Sequence, residues 1–148
     1  MQGELPDLLR TPCLCYALRQ ASRAVTRLYD DELRSAGLRT TQFALLSFLA
    51  HTGEIRQGDL GEKLLLDETT LTRNLRPLVA AGWIVVRSGG DRREKLLTIT
   101  EEGRKKLSEA RPAWKQAQKR LKGMLPEGIW HSLLRTLPGV AQAANGGE

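Results

Sequence analysis

The sequence predicts a mainly helical α+β fold, in which helical ends flank a compact middle of short helices and one β-hairpin. Apolar residues recur with helical spacing at both ends of the chain, and the period changes to extended after Gly82. Two β-rich runs, residues 83–87 and 95–99, are separated by a glycine-bearing loop. With 148 residues, the chain has the length of one domain, residues 1–148.

The first predicted helix is long, and the second is short. Apolar positions spaced by three and four over Leu14–Leu33 form one stripe: Leu14, Leu18, Ala21, Val25 and Leu28. Gly37 ends this region, and Thr40 and Thr41 supply a predicted N-cap for a second helix that stops at Gly53. Ile55 is then expected in a short extended link.

Two further helices complete the middle of the chain. The third is predicted over Gln57–Leu64, and Asp67 is a good N-cap for the fourth. The fourth helix has a predicted buried stripe of Leu71, Leu75, Leu78 and Val79. Pro77 lies inside it and lacks a backbone donor, so a bend is expected in the last turn.

The C-terminal part is predicted to be helical again. Thr100 caps a long helix with an apolar seam that requires a partner helix: Leu107, Ala110, Trp114, Ala117, Leu121 and Met124. A last helix, predicted over residues 126–141, presents Ile129, Leu133, Leu134 and Leu137.

These helical ends favour a homodimer. We assign residues 8–36 and 102–144 to a helical dimerisation part, and residues 37–101 to the compact middle. The alternative is that the stripes cover only the core of the monomer. Dimerisation is favoured because three long helices carry more apolar surface than one small middle can cover.

The order helix, helix, turn, helix and hairpin is that of a winged helix-turn-helix, which suggests a face for DNA. Opposite the buried stripe, the fourth helix presents Thr69, Thr70, Arg73, Arg76 and Ala80. Threonine can contact phosphates, base edges or thymine methyls, and arginine can bind guanine through two hydrogen bonds. The alternative is an ordinary solvated helix face.

The predicted hairpin has a basic tip. Asp91 and Arg93 are two residues apart, so in a strand they would point the same way and could pair. Arg92 and Lys95 add positive charge, which suits a minor groove beside the helix in the major groove. As an alternative, Asp91 is only a turn former.

The net charge of +6 is unevenly distributed. Residues 1–66 contain eight Lys or Arg and eight Asp or Glu, whereas residues 67–148 contain fifteen and nine. Such asymmetry is expected where a polyanion such as nucleic acid is bound. The alternative is a solvated basic helix face, and charge alone does not decide between the two.

Other classes of protein are disfavoured by the composition. The longest mostly apolar run is eight residues, too short to span a membrane, and the polar N-terminus lacks the pattern of a secretion signal. We therefore expect a cytoplasmic protein. Cys13 and Cys15 cannot build a disulfide framework, and the two histidines give no metal-ligand spacing. No phosphate loop or catalytic constellation is present, so we expect no enzyme, metal site or cofactor.

Several segments together resemble the MarR (multiple antibiotic resistance regulator) family of bacterial winged-helix transcription factors. They are residues 66–75 (LDETTLTRNL), 81–84 (AGWI), 91–93 (DRR) and 97–103 (LTITEEG). The resemblance implies an obligate homodimer whose fourth helices enter successive major grooves of a pseudo-palindromic double-stranded DNA operator and whose wings reach the minor groove. It also implies that the regulator is commonly a repressor and that a small aromatic or anionic ligand relieves DNA binding. Matched residue by residue, it places DNA contacts on Thr69, Thr70, Thr72, Arg73 and Arg76, and in the wing on Asp91 and Arg93.

Two alternatives remain for the function. The region around Cys15 is similar to the branch of this family that senses organic hydroperoxides through a cysteine of the first helix. Arg19 and Thr40 replace tyrosines of that branch, and only Tyr29 remains, so a packing role for Cys15 is favoured. The other alternative is a winged helix that binds only another protein, which would tolerate loss of Arg73 and Arg93.

Overall fold

The computed structural model describes residues 12–146 and confirms the mainly helical fold with a small sheet. In the described residues the order is α1 (Leu14–Leu33), a 3-10 turn (Arg34–Ala36), α2 (Thr40–Thr52), β1 (Ile55–Arg56), α3 (Gln57–Leu64), α4 (Glu68–Ala80), β2 (Ile84–Ser88), β3 (Lys95–Ile99), α5 (Glu101–Met124) and α6 (Ile129–Ala144). Residues 8–11 of the predicted dimerisation part lie outside the described residues.

The sheet contains a strand that the sequence did not reveal. β1 pairs antiparallel with β3, which also pairs with β2, so the strand order is β1-β3-β2. Ile55 lies opposite Leu97 and is therefore part of the sheet rather than a simple link. Two residues are too few to show the alternation by which a strand is recognised in sequence.

The core lies between the helices of the middle, the sheet and the first half of α5. Leu71, Leu75 and Leu78 of α4 are buried as predicted. The prediction for Val79 is wrong, since its side chain is 40% exposed. At about 100° per residue, Val79 falls at the edge of the arc formed by the three leucines.

Pro77 does not interrupt α4. The helix runs past this exposed residue to Ala80, and the amide of Ala81 donates to the carbonyl of Pro77 at 3.0 Å.

The start of α2 differs from the predicted cap. Thr40 is the first helical residue, not the N-cap, and its amide and hydroxyl both donate to Oδ1 of Asp30 in α1, each at 2.7 Å. The amide of Arg39 donates to Oε1 of Gln42 at 2.9 Å. A carboxylate ten residues upstream therefore caps α2 and joins it to α1.

The first turn of α5 docks tightly on the base of the wing. Thr100 caps the helix as predicted, accepting from the amide of Gly103 at 3.0 Å and donating to the carbonyl of Gly82 at 2.7 Å. A Cβ at Gly103 would overlap with the carbonyl oxygen of Trp83 and lie 2.8 Å from Cγ1 of Ile99. Only glycine allows this approach.

The helical ends expose apolar side chains. Four residues of α6, predicted as its apolar face, are between 40% and 59% exposed: Ile129, Leu133, Leu134 and Leu137. Leu14 of α1 and Met124 of α5 are 65% and 62% exposed. α6 begins later than predicted, because Gly128 forms its N-cap in a left-handed conformation, and it ends at Ala144. The monomer leaves these apolar faces uncovered.

Substitution of Gly103 tests the docking of α5. We expect Gly103→Ala to lower the free energy of unfolding by about 1–3 kcal/mol, because the added methyl overlaps with backbone that cannot move freely. Gly123→Ala is the control in the same helix, since nothing lies within 4 Å of its added Cβ. It should raise stability by less than about 0.5 kcal/mol, because Gly123 lies in the last turn of α5 and glycine costs most in the middle of a helix. Urea denaturation at one fixed protein concentration measures both, and equal effects of the two substitutions would contradict the close packing.

Candidate nucleic-acid interface

The N-terminus of α4 is fixed by its predicted cap. The carboxylate of Asp67 accepts from the amide of Thr70 at 2.8 Å and from its hydroxyl at 2.9 Å. These bonds, the backbone one first, lower the pKa of Asp67 from its ordinary value of 3.8, and the charge of Arg73 adds a smaller effect. The first turn of α4 is thereby held in one conformation.

The predicted outer face of α4 is solvent-accessible, but its residues differ in exposure and in the hydrogen bonds they already make. Thr69, Arg73 and Arg76 are exposed and lie on one side of the helix. Thr70 is half-buried, and its hydroxyl proton is used in the cap. Thr69 and the two arginines are therefore best placed to reach a ligand.

Thr72 is held by a residue that the sequence analysis did not select. Nε2 of Gln57, the first residue of α3, donates to Oγ1 of Thr72 at 3.3 Å. This contact ties the two helices of the helix-turn-helix together and leaves the hydroxyl proton of Thr72 available. A pair fifteen residues apart has no local sequence signal.

The predicted ion pair at the wing tip is wrong. Oδ1 of Asp91 accepts from the backbone amide of Arg93 at 3.2 Å, and the ion pairs of the described residues include none between these two side chains. Asp91 is the turn former of the alternative interpretation, because residues 91–93 lie in a turn and not in a strand. Arg92 and Arg93 are exposed at this tip.

The wing is tied to β1. Nη1 of Arg56 lies 3.5 Å from Oε1 of Glu94, and Arg87 pairs with Glu54 just before β1. The amide of Gly89 donates to the carbonyl of Glu94 at 2.8 Å, and a Cβ at Gly89 would lie 2.7 Å from that of Glu94. Glycine at position 89 therefore lets the side chain of Glu94 fold across the hairpin.

The wing tip and the start of α4 share one surface. A groove of about 790 Å³ is lined by Arg93 and Lys95 of the wing and by Asp67 and Glu68 of α4. A second cavity of about 550 Å³, at the junction of α1 and α2, is lined by Arg27, Asp30, Asp31, Arg34, Gly37, Leu38, Arg39 and Gln42. There Asp31 pairs with Arg34, and Asp30 is used to cap α2.

The two cysteines lie at the start of α1. Cys13 is the extended N-cap and half-buried, and Cys15 is exposed in the first turn, so the helix begins between them. Burial raises the pKa of Tyr29, so its phenol stays neutral at physiological pH. Among residues 12–146, no group of three or more His, Cys, Asp or Glu could hold a metal ion. No helix in this part of the chain is long and apolar enough to cross a bilayer.

Comparison with known proteins identifies the family. Residues 36–94 match the profile described as the MarR family. The HTH-type transcriptional regulator YwoH of Bacillus subtilis is 31% identical over 96 residues, which are 65% of this chain and 70% of that protein. This chain belongs to the MarR family. The organic hydroperoxide resistance transcriptional regulator of Bacillus subtilis is 33% identical over 91 residues, 61% of this chain and 62% of that protein.

The solved structure of a transcriptional regulator is similar over nearly the whole chain. The transcriptional regulator MosR of M. tuberculosis, in complex with DNA, is 33% identical, with a TM-score of 0.80. The alignment covers 90% of this chain and 96% of MosR. The predicted family and winged-helix fold are confirmed, and these relatives are transcriptional regulators. The division into residues 37–101 and flanking parts, and the roles of individual residues, stay predictions.

The lowered pKa of Asp67 predicts a pH-dependent cap. Because the folded pKa is depressed, the charged carboxylate contributes stability above its ordinary pKa of 3.8, and this is lost as the pH falls through the folded value. Asp67→Asn keeps an acceptor for Thr70 but removes the charge. The difference in free energy of unfolding between wild type and Asp67→Asn should therefore be full above about pH 5 and vanish in stronger acid.

Urea denaturation across this pH range measures that difference. Glu127→Gln is the control, because it removes an exposed carboxylate without a hydrogen bond or ion pair among the described residues. A difference for Asp67→Asn that does not change with pH would contradict the role of its charge.

Proposed function

We propose that this MarR-family protein is a DNA-binding transcriptional regulator that contacts its operator through α4 and the wing. The observation that carries this proposal is the shared surface of α4 and the hairpin. Thr69, Arg73 and Arg76 are exposed on α4, and Arg93 of the wing tip lines one groove with the first turn of this helix. This arrangement suits a helix in the major groove and an arginine in the adjacent minor groove.

The proposed contacts are of two kinds: some recognise bases, and others bind the DNA without recognising its sequence. Arg73 and Arg76 can each bind a guanine through two hydrogen bonds, and Thr69 can contact a thymine methyl or a phosphate. Thr70 and Thr72 can make fewer hydrogen bonds to DNA, because their hydroxyls also bond to Asp67 and Gln57. Arg92 and Arg93 supply charge to the phosphates or the minor groove, and Asp91 shapes the turn that presents them.

The protein acts as a homodimer in this proposal. The uncovered apolar side chains of α1, α6 and the end of α5 support a second copy as their partner. Two-fold symmetry then requires a pseudo-palindromic operator with half-sites about one helical turn apart.

We also propose that the regulator is a repressor released by a small anionic or aromatic ligand. The cavity between α1 and α2 supports an anionic ligand, because Arg27 and Arg39 line it without an ion pair among the described residues. Operator binding measured with and without added aromatic acids tests this. We expect the acids to release the wild-type protein from the operator and to release the Arg39→Gln variant less. A panel without any effect would contradict it.

Selection of bound fragments from random duplex DNA tests the function. We expect a symmetric consensus with half-site centres about 10 bp apart. Arg73→Ala should cost about 1–3 kcal/mol on the selected operator and relax the consensus at one position in each half-site. Arg93→Ala should weaken all duplexes similarly and reduce the salt dependence of binding.

Arg34→Ala is the matched control for these measurements without ligand. Arg34 is an exposed arginine of the 3-10 turn that pairs with Asp31 of α1, and although it lines the cavity between α1 and α2, it lies away from α4 and the wing. This variant should bind the operator like the wild type. Recovery of no symmetric consensus, or equal binding by wild type, Arg73→Ala and Arg93→Ala, would favour a winged helix that binds another protein.

A further inference from the structure

The positive charge of this chain lies mainly outside the proposed operator contacts. Residues 37–100, which precede α5, contain nine Lys or Arg and seven Asp or Glu, a net charge of only +2. Helix α5 contains eight Lys or Arg and three Glu, which is +5 of the chain's +6. The charge asymmetry of the sequence therefore reflects α5 more than the winged helix.

Five of these cations form one row, which we name the basic stripe: Arg104, Arg111, Lys115, Lys119 and Lys122. Their spacing of seven, four, four and three residues places them within an arc of about 80° on one side of α5. All five are exposed. The row spans about 27 Å, given the rise of an α-helix.

Internal partners do not neutralise the basic stripe. Among the described residues, the only ion pair of α5 joins Arg120, which lies off the stripe, to Glu32 at 3.2 Å. Arg104 donates to the carbonyl of Ala50 at 3.5 Å, a neutral acceptor. Like charges one turn apart destabilise a helix, and Arg111, Lys115 and Lys119 are spaced in this way. A bound polyanion would relieve that repulsion.

The basic stripe faces away from the apolar surfaces of α5. Leu107, Ala110 and Ala117 point into the core, about a quarter to a half turn from the stripe. Met124, the exposed apolar residue at the end of the helix, lies on the opposite side from Lys122. On α5 itself, the apolar residue available for pairing with a second copy therefore lies away from the stripe.

We propose that the basic stripe is a second DNA-binding surface, which holds the phosphate backbone of duplex DNA outside the contacts of α4 and the wing. The choice of DNA rests on the proposed function. The exposed positions within and beside the stripe, Ser108, Pro112 and Gln116, offer no aromatic or large aliphatic anchor, although such anchors form the centre of protein interfaces. One exposed carboxylate, Glu101, lies at the N-terminal end of the same arc. A sequence-independent phosphate contact requires only cations along a line.

Binding of a second duplex to the operator complex tests the proposal. The dimer is saturated with a short selected operator and titrated with a fluorescent duplex of unrelated sequence, about 30 bp long, at several salt concentrations. We expect the wild-type complex to bind this duplex with a steep salt dependence. The triple variant Lys115→Gln, Lys119→Gln and Lys122→Gln should reduce the slope of log affinity against log salt by up to about 2.7, or about 0.9 for each lost phosphate contact.

The matched control is the triple variant Lys115→Arg, Lys119→Arg and Lys122→Arg, which keeps the charge and should bind like the wild type. Binding of the second duplex with the same slope in wild type and in the glutamine variant would overturn the proposal, as would no binding by the wild-type complex. Polyglutamate that binds the stripe while duplex DNA does not would also overturn it, in favour of an acidic protein partner.

A further titration separates this proposal from the proposed function. Protein carrying Arg73→Ala and Arg93→Ala is titrated with the unrelated duplex in the absence of operator, with and without the three glutamines. Residual binding that the glutamines abolish supports the basic stripe even where no operator is recognised. If the three glutamine substitutions leave the residual binding unchanged, the basic stripe does not bind DNA, and the proposed operator contacts are not affected by this result.

Discussion

The position of α4 relative to the rest of the protein depends on how the first turn of α5 meets the base of the wing. Thr100 bonds at once to Gly82, Trp83 and Gly103, with its hydroxyl 2.7 Å from the carbonyl oxygen of Gly82. Because Gly103 has no side chain, the helix axis can approach the carbonyl of Trp83. This junction joins the winged part to the helices that expose the apolar faces. A displacement of α5 would therefore alter the spacing of two α4 helices in a dimer.

Two side-chain contacts within the winged part hold the candidate interface. Gln57 joins α3 to α4 through Thr72, and Arg56 joins β1 to the wing through Glu94. Such exposed or partly buried contacts contribute little to global stability. They restrict orientation instead, which matters because base recognition requires a helix and a wing that are already positioned before DNA arrives.

Local signals in the sequence predicted much of the fold. Asp67 and Thr100 have the side chains that N-caps require, and Leu71, Leu75 and Leu78 recur with the helical period, so these features were correct. The errors involve contacts between distant residues or very short elements. Asp30 caps α2 from another helix, and β1 has only two residues, so neither leaves a recognisable pattern. At the wing, the sequence suggested that Asp91 and Arg93 interact but not that the contact is made by the backbone.

Hydroxyl-radical footprinting of the selected operator tests most directly whether one α4 and one wing from each of two subunits contact the same duplex. We expect two protected segments related by a two-fold axis, with centres about one helical turn apart and flanking minor-groove protection where the wings lie. The flanking protection should be lost in Arg93→Ala, while the two central segments remain. A single asymmetric footprint, or flanks that persist in Arg93→Ala, would contradict this arrangement.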